Sequence, residues 1–168
     1  CQLLLVAGNV TTTDLIGNGV LALLRNPTEL AKLRAQPELI RNAVEEVLRY
    51  DSPVTVASRI ATKPVQIGGV DIEAGQSISA LLFGANHDPA AHSCPAKFDI
   101  ERPDKRHSSF GGGIHFCVGA PLARAEAQIA IPLLFTRFPK IRLMPDHTPT
   151  RKSLPSLNGV ASLWVDTD

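Results

Sequence analysis

The stretch Phe110-Gly111-Gly112-Gly113-Ile114-His115-Phe116-Cys117-Val118-Gly119-Ala120-Pro121 brings one cysteine to the mouth of a helix. Glycines admit backbone conformations that other residues avoid, and they let the main chain approach a flat ligand closely. Pro121 suits a first helical turn, where the N–H it lacks would have had no partner. Beyond it Leu122, Ala125, Ile129 and Leu133 recur at helical spacing. A cysteine just ahead of a helix meets unpaired amide donors and the positive end of the dipole, which favour thiolate over thiol. Cys117 is thereby suited to attack an electrophile or to ligate a metal.

Several uses of such a thiolate are open. Zinc needs about four protein ligands in a structural site or three in a catalytic one. No second cysteine lies at CxxC distance, and His115 alone does not complete a set. A cysteine nucleophile needs a neighbouring base, and His115, two residues away in a loop, need not face it. A single axial thiolate on haem iron needs one cysteine and glycines that make room for the porphyrin. An ordinary loop cysteine is the bland alternative.

The pattern Phe110-x-x-Gly113-x-x-x-Cys117-x-Gly119 resembles the haem-binding signature of the cytochrome P-450 family of haem-thiolate monooxygenases. The extension Gly119-Ala120-Pro121-Leu122-Ala123-Arg124 is similar to its soluble bacterial branch. The resemblance implies haem b, iron protoporphyrin IX, with Cys117 as axial ligand and Phe110 packed beside the sulfur. It places Gly111, Gly113 and Gly119 in the cofactor loop and extends His115 to a haem propionate.

The elements that must position this loop begin with Leu3 to Leu24, rich in Leu, Val, Ile and Ala and free of proline, which reads as a long, largely buried helix. Within it Ala7-Gly8-Asn9-Val10-Thr11-Thr12-Thr13-Asp14 has poor helix propensity and suggests a local distortion. A plain kink and a groove beside a ligand account for it equally well. By resemblance this is the oxygen-binding segment: Ala7 and Gly8 flank a widened groove for O2, and the Thr11 hydroxyl hydrogen-bonds the bound oxygen. The family's usual acid before that threonine is Val10 here, leaving Asn9, Thr12 or ordered water as candidate proton carriers. Asp14, one turn from Val10 on the same face, reads as structural.

Asn26-Pro27 and Gln36-Pro37 each open a helix, predicted over Pro27 to Arg34 and Pro37 to Tyr50. Ile40, Val44, Val47 and Leu48 make the apolar stripe of the second. Glu46 and Arg49, at i and i+3, can pair on one face; exposed, such a pair is worth a few tenths of a kcal/mol, as an order of magnitude. By resemblance the two are buried and joined by Arg102 from a later loop, in a network that holds the haem-side loop.

From Val54 the period shortens. Strands are expected over Val54 to Ile60, Val65 to Ile67, Val70 to Ile72 and Gln76 to Leu82, with turns at Gly68-Gly69 and Ala74-Gly75. Arg59 reads alone as a snorkelling surface residue, and by resemblance as a contact to a haem propionate. Asn86-His87-Asp88-Pro89 looks like a turn into a short helix, and Ala90 to His107 like a long packed loop. His87, His92, His107 and His147 show no metal-ligand spacing among themselves. A helix from Val118 to about Phe138, bent or cut short by Pro132, precedes edge strands at Ile141 to Leu143 and Val160 to Val165. The turn Ser156-Leu157-Asn158-Gly159 between them could touch substrate. Leu3, Val6, Val10, Val54, Val56 and Leu157 are the candidate apolar lining of a substrate pocket.

The fold class expected is mainly α with small β-sheets (α+β). The chain has 168 residues, 44% hydrophobic and 20% charged, as in a globular protein, and a net charge of +1 that gives no reason to invoke nucleic acid or a membrane surface. No apolar run approaches the roughly 20 residues that span a bilayer. Three cysteines are too few for a disulfide scaffold, which suits a reducing compartment such as the cytoplasm. Starting inside a helical pattern, the chain reads as residues 1–168 of the C-terminal, haem-binding portion of one P-450 domain. As a whole protein it would insert one oxygen atom of O2 into a small hydrophobic substrate. Electrons would come from a ferredoxin-like protein or a flavoprotein, with Arg102, Lys105, Arg106 and Arg124 offering basic charge to an acidic donor. The alternative is a truncated, non-catalytic fragment with weak or no haem binding.

Overall fold

The computed structural model describes the backbone of residues 2–168, and the side chains of residue 5 and of residues 7–168. Helix α1, Gln2–Arg25, leads into α2, Pro27–Ala35, and a 3-10 turn at Pro37–Leu39 precedes α3, Ile40–Tyr50. Strands β1, Val56–Ile60, β2, Val65–Ile67, β3, Val70–Ile72, and β4, Ser77–Leu81, precede the short helix α4, Leu82–Asn86. After a long loop, a 3-10 turn at Gly113–His115 leads to α5, Ala120–Arg137. The tail carries β5, Arg142–Leu143, β6, Thr150–Arg151, β7, Val160–Ser162, and β8, Val165–Asp166.

The core forms where α1, α3 and α5 meet. Leu15, Val20 and Leu23 of α1, Val44, Val47 and Leu48 of α3, and Ala127, Ile131 and Phe135 of α5 pack together, with Phe98 and Ile100 of the long loop closing one side. The helices approach closely at Gly19. A Cβ there would lie 2.8 Å from Ile131 Cδ1, so glycine is what lets α1 and α5 touch. The strands form four two-stranded antiparallel pairs, β1 with β4, β2 with β3, β5 with β8 and β6 with β7. At the β2–β3 turn Gly68 and Gly69 both have positive φ, +58° and +81°, the geometry a tight hairpin requires.

Several boundaries differ from the sequence expectations, each for a local reason. Helix α1 runs unbroken through Ala7–Asp14. The Thr11 and Thr13 hydroxyls donate to the carbonyls of Ala7 and Asn9, at 2.7 and 3.0 Å, and so stay within the helix. Pro37 opens a 3-10 turn rather than α-helix. Strand β1 starts at Val56, because Val54 makes only a lone bridge to Leu157. Leu82 opens α4, so the short helix precedes the Asn86–Pro89 turn instead of following it. Helix α5 passes through Pro132 to Arg137. Val160 to Val165 divides into two strands with different partners, and Thr150–Arg151 forms a strand with no advance signal.

The face of α5 also differs. Ala120, Ala127, Ile131 and Phe135 are buried, while Leu122, Ile129 and Leu133 are exposed. A helix apolar on more than one side reveals its period but not which side meets the core.

Candidate functional site

The cysteine loop is fixed from both ends. The Cys117 amide donates to Phe110 O at 2.9 Å, closing the loop on itself, and the Ala120 amide donates to Cys117 O at 3.2 Å as α5 begins. Gly111 and Gly113 sit at φ +68° and +59°, left-handed backbone that a side chain would strain. The thiol of Cys117 is exposed.

Opposite the thiol stands one face of α1. A cleft of about 260 Å³ is bounded by Ala7, Thr11, Thr12 and Leu15 on that side and by Phe110, Gly111, His115 and Cys117 on the other, with Val54, Ala57, Arg59 and Leu82 among its further lining. Ala7, Thr11 and Leu15 share a helix face at i, i+4 and i+8. Gly8 and Val10 are not among its lining. Alternation along β1 puts Ala57 and Arg59 on the cleft side and Val56 on the other. Leu157 supports Val54 through the bridge rather than reaching the cleft, and Gly113 and Gly119 are likewise outside it. The side chains of Leu3 and Val6 lie outside the described residues. Of the expected substrate lining, Val54 borders this cleft, and Val10, Val56 and Leu157 are not among its lining.

Behind the loop, Arg49 and Arg102 converge on one carboxylate. Arg49 donates to Glu46 from Nε and Nη2, at 2.9 and 2.8 Å, and Arg102 Nε lies 3.1 Å from Oε2. All three residues are buried. The spare guanidinium donors bind loop carbonyls: Arg49 those of Asn86, Pro95 and Lys97, Arg102 those of Ser93, Cys94 and Lys97. Cys94, at φ +46°, is held in that strained conformation partly by the bond from Arg102. One acidic residue on α3 thus anchors the irregular stretch leading to the cysteine.

Three supports were not foreseen. Asn86 is fully buried; its Nδ2 donates to Ser109 Oγ at 2.8 Å and its Oδ1 accepts from the Ser108 amide at 2.7 Å. Glu29, also buried, accepts from the Ile100 amide at 3.0 Å. Glu45, next to Glu46, receives Arg124 through both carboxylate oxygens, at 2.6 and 2.8 Å, and His107 Nε2 at 3.0 Å. Burial disfavours the charge on Glu45, but the hydrogen bonds from Arg124 and His107 prevail and hold its pKa at about 2. Asn86 reads as a turn residue and Glu45 carries no signal of its own in the sequence, because their partners are remote along the chain.

The basic residues expected to meet an electron donor divide between buried or shielded (Arg102, Arg124) and exposed (Lys105, Arg106). Arg124 is paired with Glu45, Arg102 is buried, Arg106 is paired with Asp104, and Lys105 contacts Asn42. Among the histidines, His107 binds Glu45 and His87 stacks on Phe83. His92 is buried, and burial followed by the charge of Arg49 lowers its pKa. Asp14 is buried against Lys152, away from the cleft lining.

The Cytochrome P450 family profile matches residues 1–161, and the chain belongs to that family. It is 50% identical over 141 residues to "Putative cytochrome P450 140" of Mycobacterium tuberculosis, covering 83% of this chain and 32% of that protein. To the "Biotin biosynthesis cytochrome P450" of Bacillus subtilis it is 49% identical over 143 residues, covering 85% and 36%. Among solved structures it is similar to P450BioI in complex with hexadec-9Z-enoic acid ligated acyl carrier protein, with TM-score 0.94 and 43% identity, covering 99% of this chain and 43% of that one. CYP109E1 of Bacillus megaterium in complex with corticosterone gives TM-score 0.95 at 36% identity, covering 98% and 45%. The chain spans about a third of the length of these two curated relatives. The architecture described above is that of the C-terminal part of the P450 fold.

The family implies haem iron with thiolate ligation, and the residues present fit it. An exposed thiol faces an apolar cleft, Arg59 and His115 supply basic side chains at its wall, and left-handed glycines flatten the loop beneath. Among the described residues no three His, Cys, Asp or Glu side chains gather as metal ligands, so Cys117 has no companions for a centre built from protein ligands alone. Nor is any described helix long and apolar enough to cross a membrane.

Proposed function

We propose that the whole protein is a haem-thiolate monooxygenase. The observation that carries this reading is that Cys117 and Thr11, remote in sequence, line one and the same apolar cleft. Cys117 would ligate the iron of haem b, and Arg59 and His115 would meet the propionates with charge-assisted hydrogen bonds. Haem so held would supply the activation of O2, by which two electrons and two protons put one oxygen atom into the substrate and the other into water.

The chain's own residues do the rest. Ala7 keeps the wall opposite the thiol small. Thr11 Oγ1 donates a hydrogen bond to Ala7 O, which leaves the hydroxyl oxygen able to accept a hydrogen bond from a molecule in the cleft. Val10 contributes no acid, so protons pass by way of Thr11 and water rather than a neighbouring carboxylate. Leu15, Leu48, Val54 and Leu82 exclude bulk water and favour a small hydrophobic substrate. Electrons come from a ferredoxin-like protein or a flavoprotein, and the protein works in the cytoplasm.

Turnover of the whole holoprotein with isotopically labelled O2 and a donor tests this. One labelled atom in the product and the other in water supports the reading; unlabelled product contradicts it. A second reading, that residues 1–168 alone hold haem weakly or not at all, draws on the exposure of Ile114 and Val118, 97% and 90%, beside the thiol. Haem titration of the 168-residue chain against the whole protein separates the two: equal affinity removes the second reading.

A further inference from the structure

Glu45, Arg124 and His107 form a connected polar group against Phe110, and none of the three lines the cleft that Phe110 borders. The Arg124 guanidinium carbon lies 4.6 Å from the centre of the Phe110 ring, and the carbonyl of that same residue accepts the Cys117 amide. His107 is fixed behind the carboxylate: the Ser109 amide donates to its Nδ1 at 3.2 Å, so the neutral ring carries its proton on Nε2, facing Glu45. The pair is shielded, with side-chain exposures of 29% for Arg124 and 19% for Glu45, and lies where charges are screened less than at an open surface.

We propose that Glu45 and Arg124 are an opposed pair of charges whose balance keeps either one from displacing the reduction potential of the iron ligated by Cys117. The proposal rests on the haem-thiolate reading above. Neither residue touches the sulfur; both are positioning residues that act through the field they impose across Phe110. Arg124 alone would favour the added electron of the reduced iron, and Glu45 alone would oppose it. Together they nearly cancel, so the centre sees little of either. Proximity is supported by the Arg124 pKa, raised chiefly by its hydrogen bonds to Glu45 and also by the charge at Cys117. The arrangement also explains why Arg124 is not free to meet an acidic partner.

Spectroelectrochemical titration of the whole holoprotein tests it. Glu45→Gln, which leaves the cation unopposed, raises the midpoint potential; Arg124→Gln, which leaves the carboxylate unopposed, lowers it. The double variant returns close to the unaltered value. Glu45→Asp and Arg124→Lys keep both charges and hold the potential near that of the unaltered protein, which separates field from packing if a neutral variant loses haem. Single neutral variants that move the potential in the same direction, or not at all, overturn the proposal, as does a double variant further displaced than either. The carbon monoxide complex of the reduced, unaltered protein serves as control. Without the long-wavelength Soret band of thiolate ligation the underlying reading fails and takes the proposal with it; with that band present, the shifts alone decide.

Discussion

Gly159 lies directly beneath the carboxylate of Asp14. A Cβ at position 159 would fall 2.1 Å from both Cγ and Oδ1 of Asp14, closer than any pair of atoms tolerates. Asp14 is itself buried and paired with Lys152 at 2.5 Å, and the Lys152 amide donates to Gly159 O at 2.9 Å. Asn18, one turn further along α1, donates to Asn158 O at 2.7 Å and accepts from Arg151 at 2.9 Å. The tail is thus fastened to the helix that forms one wall of the cleft.

Gly159→Ala is therefore expected to destabilise the protein by about 1–3 kcal/mol, since the new methyl must displace a held carboxylate. Combined with Asp14→Ala, the loss is smaller than the sum of the two single losses, because the obstruction is gone. Urea unfolding of all four proteins checks this; strict additivity would show that the two residues do not collide.

Glu46→Gln removes the only negative charge between Arg49 and Arg102 in the described structure. Two buried guanidinium groups left without it cost about 3–5 kcal/mol. Thermal unfolding is expected to show a large fall in Tm, together with faster proteolysis between Ser93 and Arg102. A Tm close to that of the unaltered protein would mean the network is not what anchors this loop.

Acid should weaken the attachment of α5 to α3 through Glu45. Folding lowers this pKa from 4.5 to about 2, so its stabilisation is complete above 4.5 and is lost as pH falls toward 2. The shift corresponds to at most about 3 kcal/mol. The stability difference between the unaltered protein and Glu45→Gln is expected to shrink through that window, followed by denaturant unfolding at successive pH values. A difference independent of pH would contradict the assignment.

Thr11→Ala is expected to divert reducing equivalents from product to hydrogen peroxide in the whole holoprotein, with Thr11→Ser restoring much of the coupling. The ratio of product formed to NAD(P)H consumed measures it. An unchanged ratio in Thr11→Ala would remove Thr11 from proton handling.

How much could be read in advance depended on the range of each interaction. The cysteine loop and the Glu46–Arg49 pair are local in sequence, so motif and helical spacing exposed them. Arg102 was reached only through family resemblance, because nothing in Phe98 to Pro103 itself points to a carboxylate fifty-six positions earlier. Glu45 with Arg124 and Asn86 with Ser109 join residues far apart in the chain, and no periodicity encodes such pairs. Val56 and Val10 are apolar neighbours of residues that line the cleft, and a one-residue step along strand or helix separates each from that lining. Leu157 was read as a free turn tip, whereas its bridge to Val54 gives it a supporting place. For α5, apolar residues on several sides concealed which face meets α1 and α3.

The central claim is a bond between iron and the sulfur of Cys117. Absorption of the reduced carbon monoxide complex, recorded for the whole protein and for Cys117→His, tests it most directly. The account predicts the long-wavelength Soret band in the unaltered protein and its replacement by a shorter-wavelength band in the variant. A long-wavelength band that survives in Cys117→His, or that never forms in the unaltered protein, would contradict it.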